Sequence, residues 1–174
     1  TLESALPGLA EWARVRDYRL YQLRQLGNVD IYLNSDLDAE QVLEFDCDRV
    51  VVATGATWRR DGVGRAHYWP VPGTDRAHVL TPSEIMRGAE VKGPVVIYDS
   101  DGSYMGNAIA EKLRAQSHDV TIVTPSAETA AYLSLTLEQG KVISRLVKIG
   151  VGPSSFATAG APGGSNSSKS RILA

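Results

Sequence analysis

The sequence predicts an α/β protein built on a parallel sheet. Residues 94–99 (PVVIYD) and 119–124 (DVTIVT) are short apolar runs, and a helix-patterned stretch, 107–116, lies between them. Unbroken β-branched runs mark strands covered on both faces, the situation of parallel sheets. Strand, turn, helix and strand in that order make a βαβ unit with parallel strands and a right-handed crossover. Residues 49–54 (RVVVAT) are a further buried-strand run. The ordered part ends near Val151, because from Gly152 the chain reads GPSSFATAGAPGGSNSSKSRILA. Such a Gly/Ser/Ala/Pro-rich segment cannot bury enough surface to offset its ordering entropy, so a disordered tail is expected over 152–174.

The remaining elements follow in order. Pro7-Gly8 marks a turn. Leu9, Trp12, Ala13, Leu20, Leu23 and Leu26 recur at helical spacing, and Gly27-Asn28 is expected to end that helix in the left-handed conformation. Residues 29–33 read as a short strand. Asp38-Ala39-Glu40-Gln41 is a capping-box sequence opening a one- to two-turn helix that carries Val42, Leu43 and Phe45. Residues 57–79 hold the turn formers Asp61-Gly62, Pro70, Pro72-Gly73 and Thr74-Asp75, an irregular connection. Thr81-Pro82-Ser83-Glu84 is a second capping box with Pro at the first helical position. In the βαβ helix, Ile109, Ala110 and Leu113 form the inner face. A last helix is expected over 135–149 on Val142, Ile143, Leu146 and Val147, with Gly140 weakening its first turn. No internal repeat is visible.

Composition narrows the function classes. The 174 residues carry 18 Lys+Arg against 20 Asp+Glu, a formal net charge of −2. Nucleic-acid binding requires a basic face to neutralise phosphates, and this balance argues against it. No stretch approaches the roughly 18 apolar residues of a membrane span, and the first residues lack a signal pattern. A cytoplasmic protein is expected. Cys47 is the one cysteine, so neither an internal disulfide nor a multi-cysteine zinc or iron–sulfur site is expected within this chain. The chain begins at Thr1 rather than Met, which implies a preceding part. The tail reads either as a linker to another module or as a truncated or frame-shifted end.

Two motifs carry chemistry. In Val52-Ala53-Thr54-Gly55-Ala56 a strand ends in small residues that let a ligand approach the backbone. The competing reading is a plain strand-ending turn. The second motif is the βαβ turn, Asp101-Gly102-Ser103-Tyr104-Met105-Gly106. Aligned on Gly106 it occupies the frame of G-x-G-x-x-G, with Ser103 at the second glycine and Asp101 at the first. A pyrophosphate would sit on the helix N-terminus. Asp99 and Asp101 would repel it, at roughly 3 kcal/mol per charge pair for a separation of about 5 Å and an effective dielectric near 20. The acidic ribose anchor expected at the next strand end is also absent: that region reads Val123-Thr124-Pro125-Ser126, and no acid appears before Glu128. The turn therefore reads as a decayed dinucleotide site or as a βαβ scaffold without ligand.

Other candidates are weaker. His67, His78 and His118 have no metal-ligand spacing, so no metal residue is assigned. Cys47 is expected to be buried, as free cysteines usually are. Trp12 and Trp69 are expected to pack. Trp58 lies three residues beyond Gly55, within reach of a nucleotide bound there, and Arg59-Arg60 beside it could meet phosphates or lie in a solvated loop. No nucleophilic triad or paired-carboxylate spacing is present, so no catalytic residue is assigned.

The ordered segments LESALPGLAEWARVRDYR, EFDCDRVVVATGATW, VPG, LTPSEIM, VVIYDSDGSYMGNAIAEKL and DVTIVT together resemble the C-terminal nucleotide-binding region of the trimethylamine/dimethylamine/histamine dehydrogenase group. This group lies within the wider NADH:flavin oxidoreductase/2,4-dienoyl-CoA reductase family. The resemblance covers about residues 1–151. It implies partial FAD/NAD(P)-binding domains of the Rossmann-like, disulfide-reductase type. Residues 1–80 would be part of an FAD/ADP-binding-like domain, 81–151 the start of an NAD(P)-binding-like βαβ domain, and 152–174 a tail of possible non-native origin.

By the same resemblance, Ala53, Thr54, Gly55, Ala56 and Trp58 belong to the ADP or FAD side. Gly102, Ser103 and Gly106 belong to the degenerate dinucleotide turn. The resemblance implies an FMN-holding barrel and a 4Fe-4S cluster in a part upstream of Thr1, ADP or FAD in the domain partly present, and an electron-transfer flavoprotein as acceptor. The chain is then expected to be an inactive piece of an amine-oxidising flavoprotein. The alternatives are the NAD(P)H-binding portion of a 2,4-dienoyl-CoA-reductase-like enzyme and a non-catalytic scaffold module.

Overall fold

A computed structural model describes residues 2–151 and the backbone of Pro153–Ser155 and Arg171–Leu173. The described helices are α1 (Trp12–Arg24), α2 (Ala39–Leu43), α3 (Pro82–Met86), α4 (Met105–Ala115) and α5 (Gln139–Lys148). The strands are β1 (Val95–Tyr98), β2 (Val120–Thr124), β3 (Pro153–Ser155) and β4 (Arg171–Leu173), and 3₁₀ turns occupy Glu3–Ala5 and Ala131–Ser134. The chain divides into two compact units, Thr1–Glu11 with Trp58–Ala174, and Trp12–Thr57.

The larger unit is the α/β part. Its strands pair in the order β3-β2-β1-β4, all parallel. The expected βαβ unit is present: β1 and β2 pair with Val95 opposite Val120 and Tyr98 opposite Val123, and α4 connects them. The core forms where these faces meet. Val95 and Ile97 of β1, Val120 and Ile122 of β2, and Ile109, Ala110 and Leu113 of α4 are all buried, and Val142 and Leu146 of α5 join them. The alternating burial along β1 and β2 follows from the two-residue period of a strand. At the start of α3, Glu84 reaches back to the Thr81 N–H at 2.7 Å, the reciprocal half of the expected capping box. Arg60 donates to both the Glu84 carboxylate and the Val79 carbonyl, which ties the 57–79 connection to this helix.

The last helix is shorter than its apolar stripe predicts. Leu137 adopts a φ of 60°, which breaks the helical path, so a 3₁₀ turn precedes and α5 begins only at Gln139. Leu135 and Leu137 are exposed on the interrupted stretch. In the expected tail, residues 152, 156–170 and 174 lie outside the described residues; at Pro153–Ser155 and Arg171–Leu173 the chain forms strands at the two edges of the sheet instead.

The Trp12–Thr57 unit departs further from expectation. The capping box of α2 is complete, with the Gln41 N–H donating to Asp38 Oδ1 at 2.9 Å and the Asp38 N–H to Gln41 Oε1 at 3.0 Å. Helix α1 ends at Arg24 without a left-handed Gly27 or Asn28. The Gln25 and Leu26 N–H groups bond to Gln22 and Leu23 carbonyls, a tightened final turn that satisfies the terminal carbonyls by itself. Neither 29–33 nor 49–54 is a strand. A strand persists only where a neighbour takes its N–H and C=O groups, and no described residue pairs with either run. Val51 is 88% exposed and Val52 77% exposed, so the expected burial of this run is also corrected. Val29, Ile31 and Leu33 line a groove of about 390 Å³ together with Leu20, Leu23, Arg24 and Leu26.

Candidate functional site

The carboxyl edge of a parallel sheet is where α/β folds hold ligands, and the β1–α4 turn lies on that edge. Asp99 leaves β1 with its N–H on the Val123 carbonyl at 2.8 Å. Its side chain then turns inward and is only 4% exposed. Asp99 Oδ1 accepts the Gly102 N–H at 3.0 Å, whereas Oδ2 is buried and finds no partner. Burial pushes the Asp99 carboxyl above the usual carboxylate range; the Gly102 hydrogen bond opposes this, and the nearby Asp101 charge adds to it.

Gly106 makes this arrangement possible. A Cβ on Gly106 would stand 2.8 Å from Asp99 Cγ, closer than side chains pack. Gly102 has a φ of +65°, and a Cβ there would meet the Tyr132 ring at 3.1 Å. The Tyr132 N–H donates to the Gly102 carbonyl at 2.9 Å. Ser103 contributes its carbonyl, which accepts from Asn107 Nδ2 at 2.6 Å, and the other amide atom, Asn107 Oδ1, is buried without a partner. The Arg65 guanidinium lies over the Tyr132 ring, 4.2 Å from its centroid.

A phosphate at this turn would use its N–H groups, and one of them, the Gly102 N–H, is already held by a buried carboxylate. The electrostatic expectation is thereby refined. Asp99 opposes an anion less as a fixed surface charge than as a group occupying the donor. Glu128, the first acid after β2, accepts from Gln139 Nε2 at 3.0 Å.

The structure brings Gly102, Ser103 and Gly106 together in this turn. Ala53, Thr54, Gly55 and Ala56 belong to the Trp12–Thr57 unit and are exposed on irregular backbone. Gly55 has a φ of +80° and open space around its Cα, so nothing obstructs close approach there. Trp58 is the first residue of the second segment of the larger unit and is 38% exposed. Trp12 and Trp69 are exposed rather than packed. The adjacent arginines are engaged internally. Arg59 pairs with Asp61 at 2.5 Å and holds the Asp61 carboxyl below its ordinary range, while Arg60 pairs with Glu84.

Cys47 is exposed rather than buried, since the run it precedes is not a covered strand. With one cysteine in the sequence and no group of three or more His, Cys, Asp or Glu side chains among the described residues, this chain does not fit a 4Fe-4S cluster. Among the described residues, no helix is long and apolar enough to cross a membrane. Arg65 and Tyr132 were not legible as turn residues, because each reaches the turn through folding rather than through a local motif.

Comparisons with known proteins agree with this architecture. Residues 80–157 match the OYE-like second alpha/beta domain. The chain is 38% identical over 152 residues to dimethylamine dehydrogenase of Hyphomicrobium sp. (strain x), an alignment of 83% of this chain and 20% of that protein. The structure resembles 6-hydroxypseudooxynicotine (6-HPON) amine oxidase from Pseudomonas geniculata N1, with a TM-score of 0.85 and 41% identity over 88% of this chain and 23% of the other. It resembles histamine dehydrogenase from Rhizobium sp. 4-9 similarly, with a TM-score of 0.82 and 41% identity over 88% of this chain and 24% of that one. A 2-naphthoyl-CoA reductase shares the fold at a TM-score of 0.68 and 21% identity. The chain thus spans between a fifth and a quarter of the length of these relatives. It is homologous, over most of its length, to dimethylamine dehydrogenase, histamine dehydrogenase and 6-HPON amine oxidase, and its residues 80–157 match the OYE-like second α/β domain.

Proposed function

We propose that this chain is the nucleotide-domain segment of a flavin-dependent oxidoreductase acting on amines by oxidative N-demethylation or deamination. It contributes scaffold and part of an ADP or FAD site. The observation that carries this reading is the 38–41% identity to amine dehydrogenases and an amine oxidase, kept over 83–88% of the chain. Coverage of only 20–24% of those relatives supports a larger enzyme whose barrel with FMN, 4Fe-4S cluster and amine pocket lie in other parts. When bound there, the flavin supplies the electron acceptor for the amine. Residues 53–56 of this chain would form part of the nucleotide wall and residues 99–106 scaffold, and neither touches a reacting atom.

Two further observations support a Rossmann-like origin. The order β3-β2-β1-β4 is the 3-2-1-4 part of the doubly wound order, one three-stranded mononucleotide-binding half and the first strand beyond the reversal. The exposed run around Val51 and Val52 has the composition of a covered parallel strand, and in the complete enzyme we place it in the ADP- or FAD-binding sheet, with Ala53, Thr54, Gly55 and Ala56 at its ligand end. An electron-transfer flavoprotein is the proposed acceptor, and the cytoplasm the proposed location.

The alternative, an NAD(P)H-binding portion of a dienoyl-reductase-like enzyme, draws on the βαβ topology and Gly106. The engagement of the Gly102 N–H by Asp99 weighs against it. Denaturing the full-length protein and identifying the nucleotides released tests the proposal. FMN together with an adenine nucleotide, ADP or FAD, is expected. Release of no adenine nucleotide overturns it.

A further inference from the structure

The 57–79 connection contains a closed loop. The Val71 N–H donates to the Asp61 carbonyl at 2.9 Å, joining the loop's ends, and the Gly64 N–H donates to the His67 carbonyl at 2.8 Å inside it. Gly62 lies so close to Val71 that a Cβ would stand 2.7 Å from Val71 Cγ2, so the neck is tightly packed. The tip of this loop lies on the β1–α4 turn. A Cβ on Gly64 would be 2.7 Å from Ser100 Oγ, and Arg65 stacks on Tyr132, which itself bonds to Gly102. The Arg65 guanidinium pKa is raised, chiefly by a hydrogen bond with the Tyr132 hydroxyl and least by the Asp101 charge in the same turn.

We infer that the Asp61–Val71 loop is a strap that closes the carboxyl edge of the sheet over the β1–α4 turn, with Arg65 on Tyr132 as its clasp. The strap covers the place where a dinucleotide would approach, and Asp99 fills the donor beneath it. The two devices act independently. One is steric and spans two loops, the other is a hydrogen bond within one turn. The closed crevice excludes a dinucleotide whether or not the complete enzyme oxidises amines, so this inference stands apart from the proposed activity.

Hydrogen exchange of the full-length protein, read on peptides covering residues 100–106, tests the strap. Arg65→Ala and Tyr132→Ala are expected to speed exchange there by about three-fold, the equivalent of losing one exposed guanidinium–ring contact, while β1 and β2 peptides keep their protection. Tyr132→Phe keeps the ring but loses the hydroxyl, and is expected to speed exchange less than Tyr132→Ala. Gly64→Ala lifts the tip by a different contact and is expected to speed exchange in the same peptides, with Gly64→Ala/Ser100→Gly restoring the parent rate. Unchanged exchange over 100–106 in Arg65→Ala or Gly64→Ala, with the strands still protected, overturns the inference. So does a Tyr132→Phe effect as large as that of Tyr132→Ala.

Discussion

Gly106 and Asp99 are in mutual contact: the Cα of the first lies where any Cβ would stand 2.8 Å from the carboxyl carbon of the second. The glycine at the start of α4 therefore accommodates a side chain of this protein's own turn. Gly106→Ala is expected to destabilise the fold by about 1–3 kcal/mol, the usual cost of overpacking a well-filled site. In Asp99→Gly the same alanine should cost markedly less. Thermal denaturation of the two single variants and the double variant measures this coupling, and additive losses would contradict the contact.

The buried Asp99 carboxyl makes stability depend on pH in a definite direction. Its folded pKa is raised by burial, so its contribution is fully present below the unfolded value of about 3.9 and is lost as pH rises through the folded value. Asn at this position keeps an oxygen for the Gly102 N–H and cannot ionise. Asp99→Asn is expected to melt above the parent at neutral pH, with the difference shrinking to nothing in acid. A constant difference across pH would contradict the account.

Glu84 acts with the opposite sign. The Thr81 backbone N–H, foremost, and also the Thr81 hydroxyl and Arg60 hold its carboxyl below the ordinary value, against the effect of burial. Its contribution is present above the unfolded pKa of about 4.3 and is lost as pH falls through the folded value. Glu84→Gln is expected to cost about 0.5–1 kcal/mol at neutral pH, a modest figure because the side chain is partly exposed, and little in acid. Denaturant midpoints at two pH values check this.

Legibility tracked how local each signal was. The βαβ unit was readable because 94–99 and 119–124 pair with each other and the helix between them covers their face, so the partners lie within one stretch of sequence. The capping boxes at Asp38 and Thr81 were readable for the same reason. The runs at 29–33 and 49–54 had strand composition, but composition supplies no hydrogen-bonding partner, and they remain irregular. At the turn, the three glycine-frame positions were visible, whereas Arg65 and Tyr132 come from a loop upstream of β1 and a 3₁₀ turn beyond β2.

The proposed function requires that the enzyme containing this chain draw electrons from amines and not from a pyridine nucleotide. Anaerobic titration of the full-length flavoprotein, followed by its visible absorbance, tests this most directly. Bleaching of the flavin by a primary or secondary amine, with no change on adding NADPH or NADH, is the predicted result. Bleaching by NADPH or NADH with no response to any amine would contradict it.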